Sequence, residues 1–142
     1  MSKLRPQRVD WDQIHRFLER AAEKLRTAKR VLGIDEETAY QMAYDAMLKA
    51  SLAFLLSRGL RPRSLPGHHV AIIEYVEKSL GPSFGDLLLM FDRMRRKRNQ
   101  AIYDASGLIS KQEAGEALEI ARKYLAAIGA EIQRHNPQHR LK

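Results

Sequence analysis

The sequence predicts an all-α fold, a bundle of four long helices plus one short helix. Apolar residues recur every three or four positions through most of the 142 residues, which is the spacing of helices that bury one face. Glycine and proline interrupt this pattern at a few points, and no alternating run is long enough to predict a strand. We expect a single domain over residues 1–142, with its core at about 10–133 and a basic C-terminal tail at 134–142.

The first two helices are predicted from about Asp10 to Leu32 and from about Glu36 to Ser57. Gly33 ends the first helix as a C′ glycine, and Asp35 caps the second helix. Gly59 ends the second helix. Because the second helix is apolar around most of its circumference, it is central in the fold or lies in an oligomer interface.

A loop at 59–67, rich in proline and glycine, precedes a short third helix over about His68–Leu80. Gly81 and Pro82 then interrupt the chain. The fourth helix is predicted over about Ser83–Ile102 and carries the most basic segment of the sequence.

A linker at 103–109 leads to the fifth helix, which is predicted over about Lys111–Gln133. Ser110 and Glu113 have the spacing of a capping box at its start. The tail at 135–142 is polar and basic, and we expect it to fray.

The charge of the chain favours anionic partners. It has 25 Lys and Arg against 17 Asp and Glu, a net charge of +8. Nucleic acid is the first candidate and an acidic protein the second. The chain has no cysteine, which excludes disulfides and thiolate metal sites. It also shows no secretory signal and no apolar run of about 18 residues, so we expect a cytoplasmic protein.

The five positive charges within residues 93–98 do not share one helix face. At 100° per residue, Arg93, Arg96 and Lys97 lie on one side, together with Gln100. We expect these cations in solvent. Their functional interpretation is electrostatic steering of RNA, together with Arg58, Arg61 and Arg63.

Arg98 falls on the opposite side, in line with an apolar stripe made of Phe84, Leu87, Phe91, Met94, Ala101 and Ile102. Burying an unpaired guanidinium costs several kcal/mol, so this arginine is either paired structurally or placed in a cleft that meets a ligand. Asp45 is a candidate ion-pair partner of Arg98 or Arg95. The alternative, of equal weight, is a local pair between Asp45 and Lys49.

The segment from Arg98 to Tyr103 has residue types that suit a phosphate ligand. Arginine binds phosphate in a fork, and Asn99 can both donate and accept hydrogen bonds. Tyr103 can hydrogen-bond or stack on a base, but a reference pKa near 10 makes tyrosine a poor general base. A histidine at that position would transfer protons near neutral pH.

This segment resembles the signature of the HEPN family (higher eukaryotes and prokaryotes nucleotide-binding): an arginine, four to six residues and a histidine, often with a polar residue after the arginine. Arg98 and Asn99 match, and Tyr103 stands at the histidine position. The second helix around 43–50, the turn that ends in glycine and the histidine that opens the third helix are also similar to the HEPN layout. The likeness covers roughly residues 10–133.

The resemblance implies a homodimer with its two arginine motifs facing a shared cleft, RNA as ligand and, in many members, metal-independent cleavage. It also implies a toxin paired with a nucleotidyltransferase antitoxin. No cofactor is expected. The candidate catalytic residues are Arg98, Asn99 and Tyr103, and the candidate substrate-binding residues are Arg95, Asp45, His68 and His69. The motif lacks the histidine that would carry acid–base catalysis.

His68 and His69 have two interpretations. In the first, one of the two histidines turns toward Arg98 and supplies the missing acid–base group. In the second, both histidines make local hydrogen bonds in the first helical turn. Their spacing is not that of a helical zinc site, so no metal is expected.

The sequence therefore predicts an RNA-binding protein, with ribonuclease or toxin activity as the further expectation. The alternative function is a non-catalytic helical module that binds a nucleotidyltransferase-type partner or a nucleotide.

Overall fold

The computed structural model describes residues 4–63, 68–103 and 109–138, and only the backbone of residues 102 and 103. The described part contains four long helices and one short one, so the predicted all-α bundle is confirmed. The helices are α1 (Trp11–Val31), α2 (Glu36–Ser57), α3 (His68–Leu80), α4 (Gly85–Tyr103) and α5 (Lys111–His135).

The predicted helix caps are present. The Asp35 carboxylate accepts a hydrogen bond from the backbone N–H of Thr38, and Ser110 and Glu113 form a reciprocal capping box. Gly33 and Gly59 follow α1 and α2 with φ of +94° and +74°, a conformation that side chains disfavour. Local sequence therefore determines where these helices begin and end.

Five predicted boundaries differ from the structure. Two of them differ by one residue, at the ends of α1, where Asp10 and Leu32 are the capping residues. A 3₁₀ turn over Gly81–Phe84 precedes α4, which begins two residues later than predicted, because Pro82 lies in the first turn of the 3₁₀ segment and cannot donate a backbone hydrogen bond. Both α4 and α5 run past their predicted ends, to Tyr103 and His135. The predicted linker at 104–108 lies outside the described residues.

The prediction that the chain has no strand is wrong. Strands β1 (Leu4–Pro6) and β2 (Leu60–Pro62) pair antiparallel, with Arg5 opposite Arg61. Each strand has three residues, too few for an alternating pattern to be recognised. The pair ties the N-terminal segment to the turn after α2.

Helix α2 is the centre of the bundle, as its apolar circumference predicted. It packs against α1, α3, α4 and α5. The largest fully buried side chains come from all five helices: Tyr44, Tyr124, Phe54, Phe91, Ile14, Met47, Leu55, Ile72, Leu88, Ile128, Ile132 and Val76. The N-terminal half of α2 also lies beside α4, which carries the basic segment.

Candidate nucleic-acid interface

Helix α4 presents the two faces that its sequence predicted. Phe91, Met94 and Ala101 are buried, whereas Arg93 and Arg96 are exposed. Lys97 was also expected in solvent, and this expectation is wrong. Its side chain is 28% exposed and its Nζ lies 3.0 Å from Glu113 Oε2, so it joins α4 to α5. Hydrogen bonds from Lys97 and from the Ser110 backbone lower the pKa of Glu113.

Arg98 is half-buried against α2. Its guanidinium carbon lies 5.4 Å from the centroid of the Tyr44 ring. Its Nε is buried and has no hydrogen-bond partner. No ion pair joins Arg98 to any acid in the part of the chain that the structure describes. A buried charged donor without an acceptor is energetically costly.

The proposed ion pairs of Asp45 are wrong. Asp45 is half-buried, and among the described residues it pairs with none of Arg98, Arg95 and Lys49. Arg95 instead bonds Asp92, with its Nε 3.1 Å from the carboxylate, because that acid lies one turn earlier on the same helix. Burial raises the pKa of Asp92, but hydrogen bonds from Arg96 and Arg95 outweigh it and lower the pKa.

His69 packs between α3 and α2. Its Nδ1 lies 2.9 Å from the hydroxyl oxygen of Tyr44, and the His68 ring meets it edge-on at 4.4 Å between centroids. Burial, and then the charges of His68 and Arg98, lower the pKa of His69. The imidazole of His69 and the guanidinium of Arg98 therefore both contact Tyr44.

Tyr44 is the residue of this cluster that sequence reasoning missed as a site residue. An aromatic residue in an apolar helix is typical of a core position, and Tyr44 is fully buried. Burial raises its pKa to about 12, although the charges of Arg98 and Arg95 oppose the shift. The available signal was a phenol in the middle of an apolar helix, because a buried tyrosine hydroxyl needs a polar partner.

The fold agrees with the comparison to known families. The family model described as "HEPN domain" matches residues 14–132. The chain belongs to the HEPN family. Membership suggests nucleotide or RNA binding. No curated protein gives a significant match to the chain.

Within this HEPN domain, the arginine motif occupies the last turns of α4. Asn99 is exposed beside Arg98. Tyr103 is the last residue of α4, and its side chain lies outside the described residues. The motif backbone is thus helical from the arginine to the tyrosine, and the position of the Tyr103 hydroxyl stays a prediction.

The three other cations that the sequence predicts to steer RNA, Arg58, Arg61 and Arg63, lie around β2. The Arg58 guanidinium stacks on Phe54 at 4.7 Å from the ring centroid, Arg61 is exposed, and Arg63 is half-buried. Among the described residues, no group of three or more His, Asp or Glu side chains is placed to hold a metal ion. No helix of the described residues is long and apolar enough to cross a bilayer.

Proposed function

We propose that this HEPN protein binds RNA, and that Arg98, Asn99 and Tyr103 form the contact surface. The observation that carries the proposal is the half-buried Arg98 side chain, whose Nε is buried without a partner and whose guanidinium rests on Tyr44. A phosphate oxygen is the acceptor that a guanidinium fork fits best. The aromatic ring below the guanidinium limits its motion, which lowers the entropy cost of binding.

The surrounding charge supports a polyanionic ligand. Arg93 and Arg96 are exposed on the same helix, and the whole chain carries +8. Such charges attract any nucleic acid and make the affinity fall steeply with salt. The exposed cations therefore attract RNA over a long range, whereas Arg98 makes a local contact with it.

Cleavage of the bound RNA is the finer part of the proposal. The ribose 2′-oxygen would form a bond to the adjacent phosphorus while the bond to the 5′-oxygen of the next nucleotide breaks, which gives a 2′,3′-cyclic phosphate and a 5′-hydroxyl. Water would take the proton of the 2′-hydroxyl and supply one to the leaving oxygen, so the step needs no metal, and Arg98 would stabilise the negative charge that develops on the phosphate. We further propose a homodimer that brings two motifs to one cleft, in a cytoplasmic toxin whose antitoxin is a nucleotidyltransferase. These parts rest on the family layout.

The binding test compares Arg98→Ala with Arg96→Ala in fluorescence anisotropy with single-stranded RNA. Both variants remove one positive charge from α4, so they are matched for steering. We expect Arg98→Ala to weaken binding by about tenfold or more, since it removes a charge-assisted hydrogen bond. The Arg96→Ala loss should be smaller and should vanish at high salt. Equal losses in the two variants, or no binding by the wild type, would reject the proposal.

The cleavage test incubates labelled RNA with the wild type and Arg98→Ala in the presence of a metal chelator. Products that appear with the wild type and not with the variant support a metal-independent ribonuclease. If the wild type makes no product at high protein concentration, the protein binds RNA without cutting it.

The alternative function is a non-catalytic module that binds an acidic protein partner or a nucleotide. The observation that favours it is Tyr103 at the histidine position of the motif, because a phenol is a poor base at neutral pH. A carboxylate would also satisfy the Arg98 guanidinium. Capture of a purified nucleotidyltransferase that persists at high salt, with no RNA signal, would support this function over RNA binding.

A further inference from the structure

The bond between Tyr44 and His69 determines which nitrogen of the imidazole carries a proton. Tyr44 is fully buried, and with a pKa of about 12 it keeps its phenolic proton at neutral pH. A buried hydroxyl needs an acceptor, and His69 Nδ1 lies 2.9 Å from the oxygen. The phenol therefore donates to Nδ1, and the proton of the neutral imidazole is on Nε2.

The surroundings keep this imidazole uncharged. Groups that disfavour a charged imidazole face it from two helices: His68 on α3, and Arg98 and Arg95 on α4. Asp45 on α2 opposes them, but burial and His68 outweigh it, so the pKa of His69 is lowered. Tyr44 offers no charge, since it stays protonated. At neutral pH, His69 is thus a neutral side chain with one N–H that Tyr44 does not use.

Arg98 and His69 rest on the same tyrosine. The guanidinium carbon is 5.4 Å from the Tyr44 ring centroid, and the imidazole centroid is 5.8 Å from it. We propose that His69 is a phosphate-binding residue of the RNA site, whose Nε2–H donates a hydrogen bond to the phosphate that Arg98 contacts. This inference rests on the proposed function and specifies how the site holds its ligand.

The same geometry opposes a general-base role for His69. A base would need a free lone pair on Nε2, and in this tautomer Nε2 is protonated while Nδ1 accepts from Tyr44. The histidine therefore binds the phosphate and takes no proton from the ribose hydroxyl. A glutamine side chain offers a similar N–H donor but cannot act as a base, so His69→Gln separates the two roles.

The first test uses the wild-type protein. Nitrogen NMR of the histidine side chains distinguishes the two neutral tautomers and the imidazolium, and the His69 signal is identified by its loss in His69→Gln. We expect the Nε2–H tautomer at pH 7 and a mixture of tautomers in Tyr44→Phe. A short single-stranded RNA should shift the Nε2 resonance. An Nδ1–H tautomer, an imidazolium at pH 7 or an unshifted resonance would overturn the inference.

The second test measures RNA affinity by anisotropy for His69→Gln and His69→Ala. We expect His69→Gln to bind nearly as well as the wild type and His69→Ala to bind about tenfold more weakly. If His69→Ala binds like the wild type while Arg98→Ala does not, the inference fails and the proposed function stands. If the wild type fails to bind RNA, both fail. Circular dichroism checks that each variant is folded. The tautomer and its shift with RNA are measured on the wild type, and only the assignment of the signal needs a folded His69→Gln variant.

Discussion

Two fully buried tyrosines, Tyr44 and Tyr124, pack against Phe91, and their hydroxyl groups make different hydrogen bonds. The ring of Phe91 is 5.4 Å from Tyr44 and 5.2 Å from Tyr124, between centroids. The Tyr124 hydroxyl is 2.6 Å from Ser51 Oγ, and Ser51 donates to the Met47 carbonyl at 2.8 Å. Tyr124 and Ser51 are both fully buried, so this chain of bonds begins and ends inside the core.

The chain of bonds from Tyr44 leads outward instead. Its partner His69 is half-buried and stands beside Arg98, whose Nε has no partner. A closed polar network adds stability and needs nothing further, whereas a network that ends in an unused donor can still bind a ligand. The difference separates a structural tyrosine, Tyr124, from one that would support the proposed RNA site, Tyr44, although both look alike in sequence.

The largest effect, on stability, is expected when the ring of Phe91, which packs against both tyrosines, is removed. Phe91→Ala should lower the free energy of unfolding by about 3–5 kcal/mol, because a fully buried ring leaves a cavity that both tyrosines line. Chemical denaturation measures this loss. Leu89→Ala is the matched control on the same helix, since Leu89 is 53% exposed, and it should change stability little. If Phe91→Ala lowers the free energy of unfolding no more than Leu89→Ala does, the two tyrosines do not pack against a common Phe91 ring.

Removing the hydroxyl of Tyr124 should affect stability alone. Ser51 gives its one proton to the Met47 carbonyl, so Tyr124 is the donor in the 2.6 Å bond. We expect Tyr124→Phe to cost about 1 kcal/mol of unfolding free energy, which is typical of one neutral hydrogen bond. RNA affinity should not change. A loss of RNA binding in this variant would place the Tyr124 network in the site and remove the contrast.

Removing the hydroxyl of Tyr44 should instead lower RNA affinity and change stability little. His69 is half-buried, so water can replace the lost bond, and we expect Tyr44→Phe to cost less than about 1 kcal/mol of stability. RNA affinity should fall measurably, because the imidazole is no longer held as the Nε2–H tautomer. Denaturation and anisotropy on the two tyrosine variants give this double comparison. The contrast is wrong if Tyr44→Phe loses stability and keeps full RNA binding.

The features predicted correctly from the sequence are those that depend on residues near one another in the chain. Helix periodicity placed α2 at the centre and Arg98 on the inner face of α4, and the caps at Asp35 and Ser110 follow from residue type at fixed spacing. The contact between Tyr44 and His69 spans 25 positions and depends on how α3 packs on α2, which periodicity does not specify. The Asp45 pairings failed because side-chain reach was weighed without the competing acid at 92.

The smallest effect is a pH dependence of stability, which the Tyr44–His69 network should show and the Tyr124–Ser51 network should not. The pKa of His69 is lowered in the folded protein, so below the ordinary histidine pKa of about 6.5 the unfolded chain binds the proton more readily. The free energy of unfolding should therefore decrease as the pH falls from about 7 to 5.5, above the range in which the carboxylates titrate.

Denaturation at several pH values, compared between variants, isolates this contribution. His69→Gln should flatten the slope, because it removes the titrating group while keeping a side chain that can bond Tyr44. Tyr124→Phe should keep the full slope, since the Tyr124 network contains no group that titrates in this range. If His69→Gln leaves the slope unchanged, the imidazole is not held neutral by its surroundings. The Tyr44–His69 network would then lack the pH dependence that distinguishes it from the Tyr124–Ser51 network.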